Sequence, residues 1–198
     1  MKNTGNPLAA MFIAAFIFLA VPQIAAAQIT YQLAQSPAVV IKVLGKSNVH
    51  DWVMTTTTIE SQGKFKLTGD NLGDVTSLSF SVAAKSLKSG KSSMDNRTYK
   101  TIKADQYPTI TYKLTSATVS SISPKNYLVK TKGELTIAGV TQLVNVSVNA
   151  TVNDNTITCT GTENIKLTDY GIKPPSFMLG AMKVYDGLAI QFTLIYKK

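Results

Sequence analysis

Apolar and polar residues alternate along most of this chain with a period of two. In residues 144–152, Val144, Val146, Val148, Ala150 and Val152 take one parity and Asn145, Ser147, Asn149 and Thr151 the other. Successive side chains of a strand point to opposite faces, so the segment reads as a strand between an apolar interior and water. Leu78, Phe80 and Val82 alternate with serines, and Leu188, Ile190, Phe192, Leu194 and Tyr196 form a longer run. Tyr127, Val129, Leu135 and Ile137 share a face with Thr131 and Gly133. Shorter runs hold Val39, Ile41 and Val43; Ile110, Tyr112 and Leu114; Ile157 and Cys159; and Ile165 and Leu167. Turn-forming residues separate them at Gly45-Lys46-Ser47-Asn48, Gly69-Asp70-Asn71, Ser123-Pro124-Lys125-Asn126, Ala138-Gly139, Asn153-Asp154-Asn155 and Asp186-Gly187. Roughly eight strands at this spacing predict an all-β, antiparallel sandwich or barrel.

Two stretches break the alternation. Residues 93–106 place Met94, Thr98 and Ile102 at helical spacing, with Ser93 as the expected N-cap and Asp95 in the first turn. One short helix is predicted there, ending before Tyr107-Pro108. Residues 168–183 carry Tyr170, Pro174, Pro175, Phe177, Met178, Leu179 and Met182. A loop this apolar has to pack on something, either closing a barrel end or lining a pocket mouth.

The N-terminus reads differently from the rest. Lys2 precedes an uncharged apolar run from Leu8 to Val21, and Ala25-Ala26-Ala27 offers a small-residue cleavage site before Gln28. That is the layout of a bacterial secretory leader over residues 1–27, followed by one domain over residues 28–198. Pro22 and Gln23 cut the run short of the ~20 residues a membrane span needs. No integral span is expected in the mature chain, and a periplasmic or secreted location follows. Cys159 is the single cysteine of the 198 residues, so there is no internal disulfide and no lipoprotein cysteine. Losing the leader removes Lys2 and no acid, lowering the formal charge of +9 by one. The basic residues are scattered rather than clustered, which argues against a nucleic-acid partner.

Candidate chemistry is sparse. His50 is the only histidine. Its neighbour Asp51 points the other way in an extended segment and is badly placed to orient it. The readings left are a satisfied polar residue at a strand start or a polar contact at a barrel mouth. One histidine and one distant cysteine do not make a zinc site, no calcium-loop spacing occurs, and no glycine-rich phosphate loop is present. Neither a metal, a cofactor nor an enzyme activity is expected.

Five sequence words, in order over most of the mature chain, resemble the YceI-like family. They are Ser47-Asn48-Val49-His50-Asp51-Trp52; Lys88-Ser89-Gly90 with Met94-Asp95 and Tyr99; Ala104-Asp105-Gln106-Tyr107-Pro108-Thr109-Ile110; the hairpin from Gly133 to Thr141; and Leu167-Thr168-Asp169-Tyr170-Gly171-Ile172. The resemblance implies an eight-stranded antiparallel β-barrel like that of lipocalins, with a helix beside it and an elongated apolar cavity. It also implies an isoprenoid or related lipid as ligand, held by a carrier or storage protein of the cell envelope. On that reading His50, Trp52, Phe80, Met94, Tyr99, Tyr112, Tyr127, Tyr170, Phe177, Met178 and Phe192 line the pocket. Plain core packing is the alternative for the apolar ones. Lys88, Lys91 and Arg97 either meet a phosphate head group or simply face water. A filled barrel that acts through its surface, as an envelope-stress or interaction protein, is the rival reading. Monomer and homodimer both stay open.

Overall fold

The structure, a computed structural model, describes Met1 and residues 28–198; apart from Met1, the expected leader lies outside the described residues. The elements are β1 (Gln28–Leu33), β2 (Val40–Ser47), β3 (Asp51–Thr56), β4 (Ile59–Thr68), β5 (Asn71–Ala83), α1 (Ser92–Thr101), β6 (Thr109–Ser123), β7 (Asn126–Ile137), β8 (Val140–Asn153), β9 (Thr156–Lys166), the two-residue β10 (Ser176–Phe177) and β11 (Met182–Lys197). Each pairs antiparallel with its neighbours.

Strand β11 closes the sheet on itself. One edge pairs with β9 from Gly187 to Lys197. The other pairs with β2 and then, at Tyr196 and Lys197, with β1. β1 and β2 are therefore two halves of one strand, interrupted at residues 34–39. β3 and β4 are the halves of the next, pairing with β2 and β1 respectively. The outcome is a ring of eight antiparallel strands, a lipocalin-like barrel with one helix. Closure leaves only β3 with an outer edge, met by a single bridge from Thr55 to Lys88.

The period-two parity settles what faces inward. Along β8, Val144, Val146, Ala150 and Val152 are buried, whereas Asn145, Ser147 and Asn149 are not. At one end the inward residues fill the ring completely. Phe65 and Tyr196 pack with centroids 5.3 Å apart, and Tyr31 meets Phe65 edge-on at the same distance. Tyr196 and Ile157 are 0% exposed. A buried phenol needs a partner, and the Tyr196 hydroxyl has one in Ser61 Oγ at 2.7 Å. These aromatics plug the closed end of the barrel.

Three local expectations are corrected. The α-helix stops at Thr101, earlier than expected. Ile102 caps it, Lys103 takes a positive φ of 52°, and residues 103–106 form turns. Lys91 rather than Ser93 is the N-cap, and it makes no side-chain cap bond. The N-terminal anchor is Asp95, 7% exposed, which accepts from Ser89 N at 2.8 Å and Ser89 Oγ at 2.6 Å. The third correction falls at Asp186-Gly187, which is a bulge inside β11 and not a turn. The register against β2 shifts between Val184 and Leu188, so the extra residues are absorbed without breaking the strand.

Removing the central ring of the plug should be costly. Phe65→Ala is expected to destabilise the barrel by about 3–5 kcal/mol, read as a lower urea midpoint at unchanged m-value.

Candidate ligand-binding cavity

Above the plug the ring is hollow. A cavity of about 350 Å³ runs from α1 down to Phe65 and Val75, within the ~300–1,000 Å³ usual for ligand pockets. Its wall is almost wholly apolar, with Ile41, Val43, Leu135, Val146, Leu188 and Ile190 among the lining residues.

Glycines on the wall explain why large aromatic rings leave it open. Trp52 sits directly across from Gly45, and Phe192 directly across from Gly161. Tyr112 is diagonal to Gly133. In each case the ring covers the glycine. A Cβ added at Gly161 would lie 2.5 Å from Phe192 Cζ, and Cβ atoms at Gly45 and Gly133 would collide with Trp52 and Tyr112. The rings lie against the wall because the opposite residue has no side chain. Phe80 then stacks on Tyr112 at 5.4 Å and 13°.

Few polar atoms enter this space. The Tyr112 hydroxyl donates to Thr131 Oγ1 at 3.2 Å, which donates to Val146 O at 3.1 Å. Glu163 shares the inward parity of Ile157, Cys159 and Ile165 and lines the cavity half-buried. Burial pushes its carboxyl upward from the ordinary value. Tyr170 is 2% exposed, and burial, aided by the Glu163 and Asp169 charges, pushes its phenol up to about 12. Cys159 also lines the wall; burial pushes its thiol up to about 12, so it is a neutral apolar surface.

Helix α1 and residues 168–183 form the mouth. Met94, Arg97, Thr98 and Thr101 of α1 face the cavity, as do Phe177 and Met182 opposite. The Arg97 guanidinium lies 4.6 Å over the Phe177 ring, joining the two sides. Asn48, in the β2–β3 turn, holds the loop from outside. Its amide donates to Ala181 O at 2.9 Å, and its carbonyl accepts from Lys183 N at 2.7 Å. Asp186 anchors the loop's start, accepting from Thr168 Oγ1 at 2.6 Å and Thr168 N at 2.9 Å.

The sequence-expected residues divide into two groups. His50, Trp52, Phe80, Met94, Tyr112, Tyr170, Phe177 and Phe192 lie on the cavity wall. Tyr99, Tyr127 and Met178 do not. Tyr99 turns to the back of the helix, where its hydroxyl donates to Leu87 O at 2.7 Å and Lys85 O at 2.9 Å, under Lys88 Nζ. Tyr127 belongs to the plugged end and donates to Asn71 Oδ1 at 3.2 Å. Met178 is 74% exposed at the loop tip, thrown outward by a positive φ of 55°. His50 is exposed at the rim, with Nδ1 2.9 Å from Asp51 O. The Asp51 carboxylate turns to Lys46 at 3.9 Å, so no catalytic pair forms. Glu163, Thr131 and the three wall glycines were not among the expected pocket residues, although strand parity assigns all of them inward; Gly45 continues the run of Val39, Ile41 and Val43, because β2 extends to Ser47 through the residues expected as a turn. Among the described residues no three His, Cys, Asp or Glu side chains gather as metal ligands.

A closed antiparallel barrel, plugged at one end, hollow at the other and mouthed by a helix, is a lipocalin-like architecture built around an enclosed apolar cavity. The chain belongs to the YceI-like family, whose domain model matches residues 31–196. Solved structures share the fold. BcnA of Burkholderia cenocepacia is 19% identical with a TM-score of 0.64, covering 79% of this chain and 94% of its own. A polyisoprenoid-binding domain from Saccharophagus degradans, implicated in plant cell wall breakdown, is 14% identical with a TM-score of 0.63, covering 84% and 97%. The YceI protein of Campylobacter jejuni is 16% identical with a TM-score of 0.59, covering 77% and 84%. No curated protein matches the sequence.

Two outcomes test the cavity. Gly161→Ala should drive the Phe192 ring into the lumen. It is expected to destabilise by about 1–3 kcal/mol and to lower the uptake of a neutral fluorescent apolar probe. The second concerns the mouth. Hydrogen bonds from Thr168 hold the Asp186 carboxyl below its ordinary value. A depressed folded-state pKa gives anchoring that is complete above the unfolded value of about 3.9 and lost as pH falls through the folded one. Hydrogen exchange of residues 168–183, normalised to the unfolded peptide, should be flat down to about pH 4 and accelerate below it. Asp186→Ala should remove that dependence and accelerate exchange at neutral pH.

Proposed function

We propose that this protein encloses one long apolar ligand, an isoprenoid or related lipid, and serves as its carrier or store in the bacterial cell envelope. The observation that carries the reading is the cavity. Its wall is apolar, its rings are laid flat on glycine, and one end is sealed while the other is closed only by α1 and a loop. Driving force comes from removing apolar ligand surface from water, at ~25 cal/mol per Å². A preformed lumen adds little ordering cost on the protein side. The leader-like residues 1–27 support export to the periplasm or beyond, and the polyisoprenoid-binding domain of similar fold supports the ligand class. Binding rather than catalysis fits the wall, where the single histidine sits at the rim without a carboxylate against it.

Protein purified under native conditions from its source should release a lipid on solvent extraction, identified by mass spectrometry as an isoprenoid. Ile190→Ala and Phe80→Ala should each weaken binding of a fluorescent polyprenol by about five- to tenfold with the far-ultraviolet dichroism unchanged. Absence of extractable lipid together with no polyprenol binding would overturn the proposal. Recovery of the mature chain in the cytoplasmic fraction would overturn the envelope location alone.

A further inference from the structure

We infer that the hairpin tip beside the mouth, Met178 to Ala181, inserts into the surface of a bilayer that carries anionic lipid, so that the cavity opens against the membrane. The inference goes beyond the lipid-carrier reading and takes from it only the cargo that passes.

Strands β10 and β11 form a short hairpin at the mouth. Phe177 pairs with Met182 and Ser176 with Lys183, and Phe177 and Met182 line the cavity. The connection between them is Met178-Leu179-Gly180-Ala181, which carries no charge and no polar side chain. Apolar residues in a loop ordinarily fold back onto the body of the protein. Here Met178 is largely exposed and Leu179 fully so. The backbone holds them out, with φ of 55° at Met178, 54° at Leu179 and 94° at Gly180. Glycine takes that region freely, but bulky residues enter it at a cost. The tip is also fixed from its flank by the Asn48 bonds to Ala181 O and Lys183 N. The residue after Asn48 is Val49, itself 60% exposed. Three exposed apolar side chains therefore stand on one side of the mouth.

Cations that are scattered along the chain meet around this patch. Lys173 and Lys183 flank the tip, and no acid lies between Tyr170 and Tyr185. Lys91 and Arg97 stand across the mouth. Among the described residues none of these four is in an ion pair. Most acids at this end are already engaged. Asp51 meets Lys46, Asp105 meets Lys85, Asp95 accepts from Ser89 and Asp186 from Thr168. Asp169, at the start of the loop, is the exception.

An exposed apolar patch with a polar rim marks a site for a protein or a membrane, and size decides between them. A specific protein interface buries ~800 Å² on each partner, far more than three side chains at a hairpin tip supply. A bilayer needs only a few apolar side chains sunk below its head groups, with cations at head-group level. Each Lys or Arg near an anionic leaflet adds attraction that fades within a Debye length. Docked in this way, the mouth faces the lipid, and an apolar molecule passes between bilayer and cavity without crossing bulk water.

The test is co-sedimentation of the protein with vesicles of phosphatidylglycerol and phosphatidylethanolamine, against vesicles of phosphatidylcholine alone. Binding to the anionic vesicles should be about tenfold tighter and should weaken as salt rises. Met178→Asp and Leu179→Asp should each weaken it about tenfold, because a charge replaces an inserted apolar group. Aspartate tolerates the left-handed backbone, and thermal melts establish that each variant is folded. Lys173→Glu with Lys183→Glu should cost about tenfold as well. Leu179→Trp should gain fluorescence that brominated acyl chains quench. Uptake of the neutral apolar probe N-phenyl-naphthylamine, measured without vesicles, should be the same in all variants. No binding to anionic vesicles, or binding unchanged in both aspartate variants, would overturn the inference. Binding that depends on the lysines and not on the tip would overturn insertion. Failure of the wild-type protein to take up the probe would overturn the lipid-binding reading instead, which separates the two.

Discussion

A small barrel lined by apolar side chains tends to fill itself. Eight strands leave a lumen that ordinary inward residues can occupy, and at the end built around Phe65, Tyr31 and Tyr196 they do. The cavity depends on preventing that collapse higher up, where Trp52, Phe192 and Tyr112 also point inward. Seating each ring on a glycine across the strands turns its bulk into wall. The arrangement keeps aromatic surface for contact with a ligand and still leaves about 350 Å³ empty. It also sets the stability profile. The plug supplies dense packing, while the hollow half forgoes contacts that a filled core would make.

The mouth follows the same division between fixed and yielding parts. Helix α1 is tied at its start by Asp95 to Ser89 and through Tyr99 to the backbone at Lys85 and Leu87. The opposite loop is tied by Asn48 and Asp186. These bonds lie on the flanks, so the faces of Met94 and Phe177 toward the cavity stay free of polar obligations. Across the gap the two sides meet through Arg97 over Phe177. An exposed cation–π contact is worth only ~0.5–1 kcal/mol, small against the anchors behind it. Opening can therefore separate helix from loop without unfolding either.

Most of the ring was legible because burial of one strand face forces period-two sequence. Where the inward positions were not apolar the signal vanished. Strand β4 went unread because Ser61 and Gly63 stand at inward positions, one bonding Tyr196 and the other making room for Phe65. Parity also says nothing about height along the barrel axis. Tyr112 and Tyr127 alternate alike, yet one lines the cavity and the other serves the plug. Tyr99 was misread because a helix turns aromatic residues onto either side, and the back side here offers two carbonyls. Family words found the fold and the mouth, but the glycine seats became visible only with cross-strand register.

The unpaired polar atoms bear on what the cavity costs the fold. Leaving a buried donor or acceptor unsatisfied costs ~1–3 kcal/mol, and Trp52 Nε1 and the Tyr170 hydroxyl are both sealed without a partner. The fold carries that cost whether or not the lumen is filled. Displacing water from the apolar wall favours binding. Affinity then comes from the wall. A binder that gains mostly from non-directional burial can hold ligands of different tail shape, because the hydrophobic term scales with area and not with geometry.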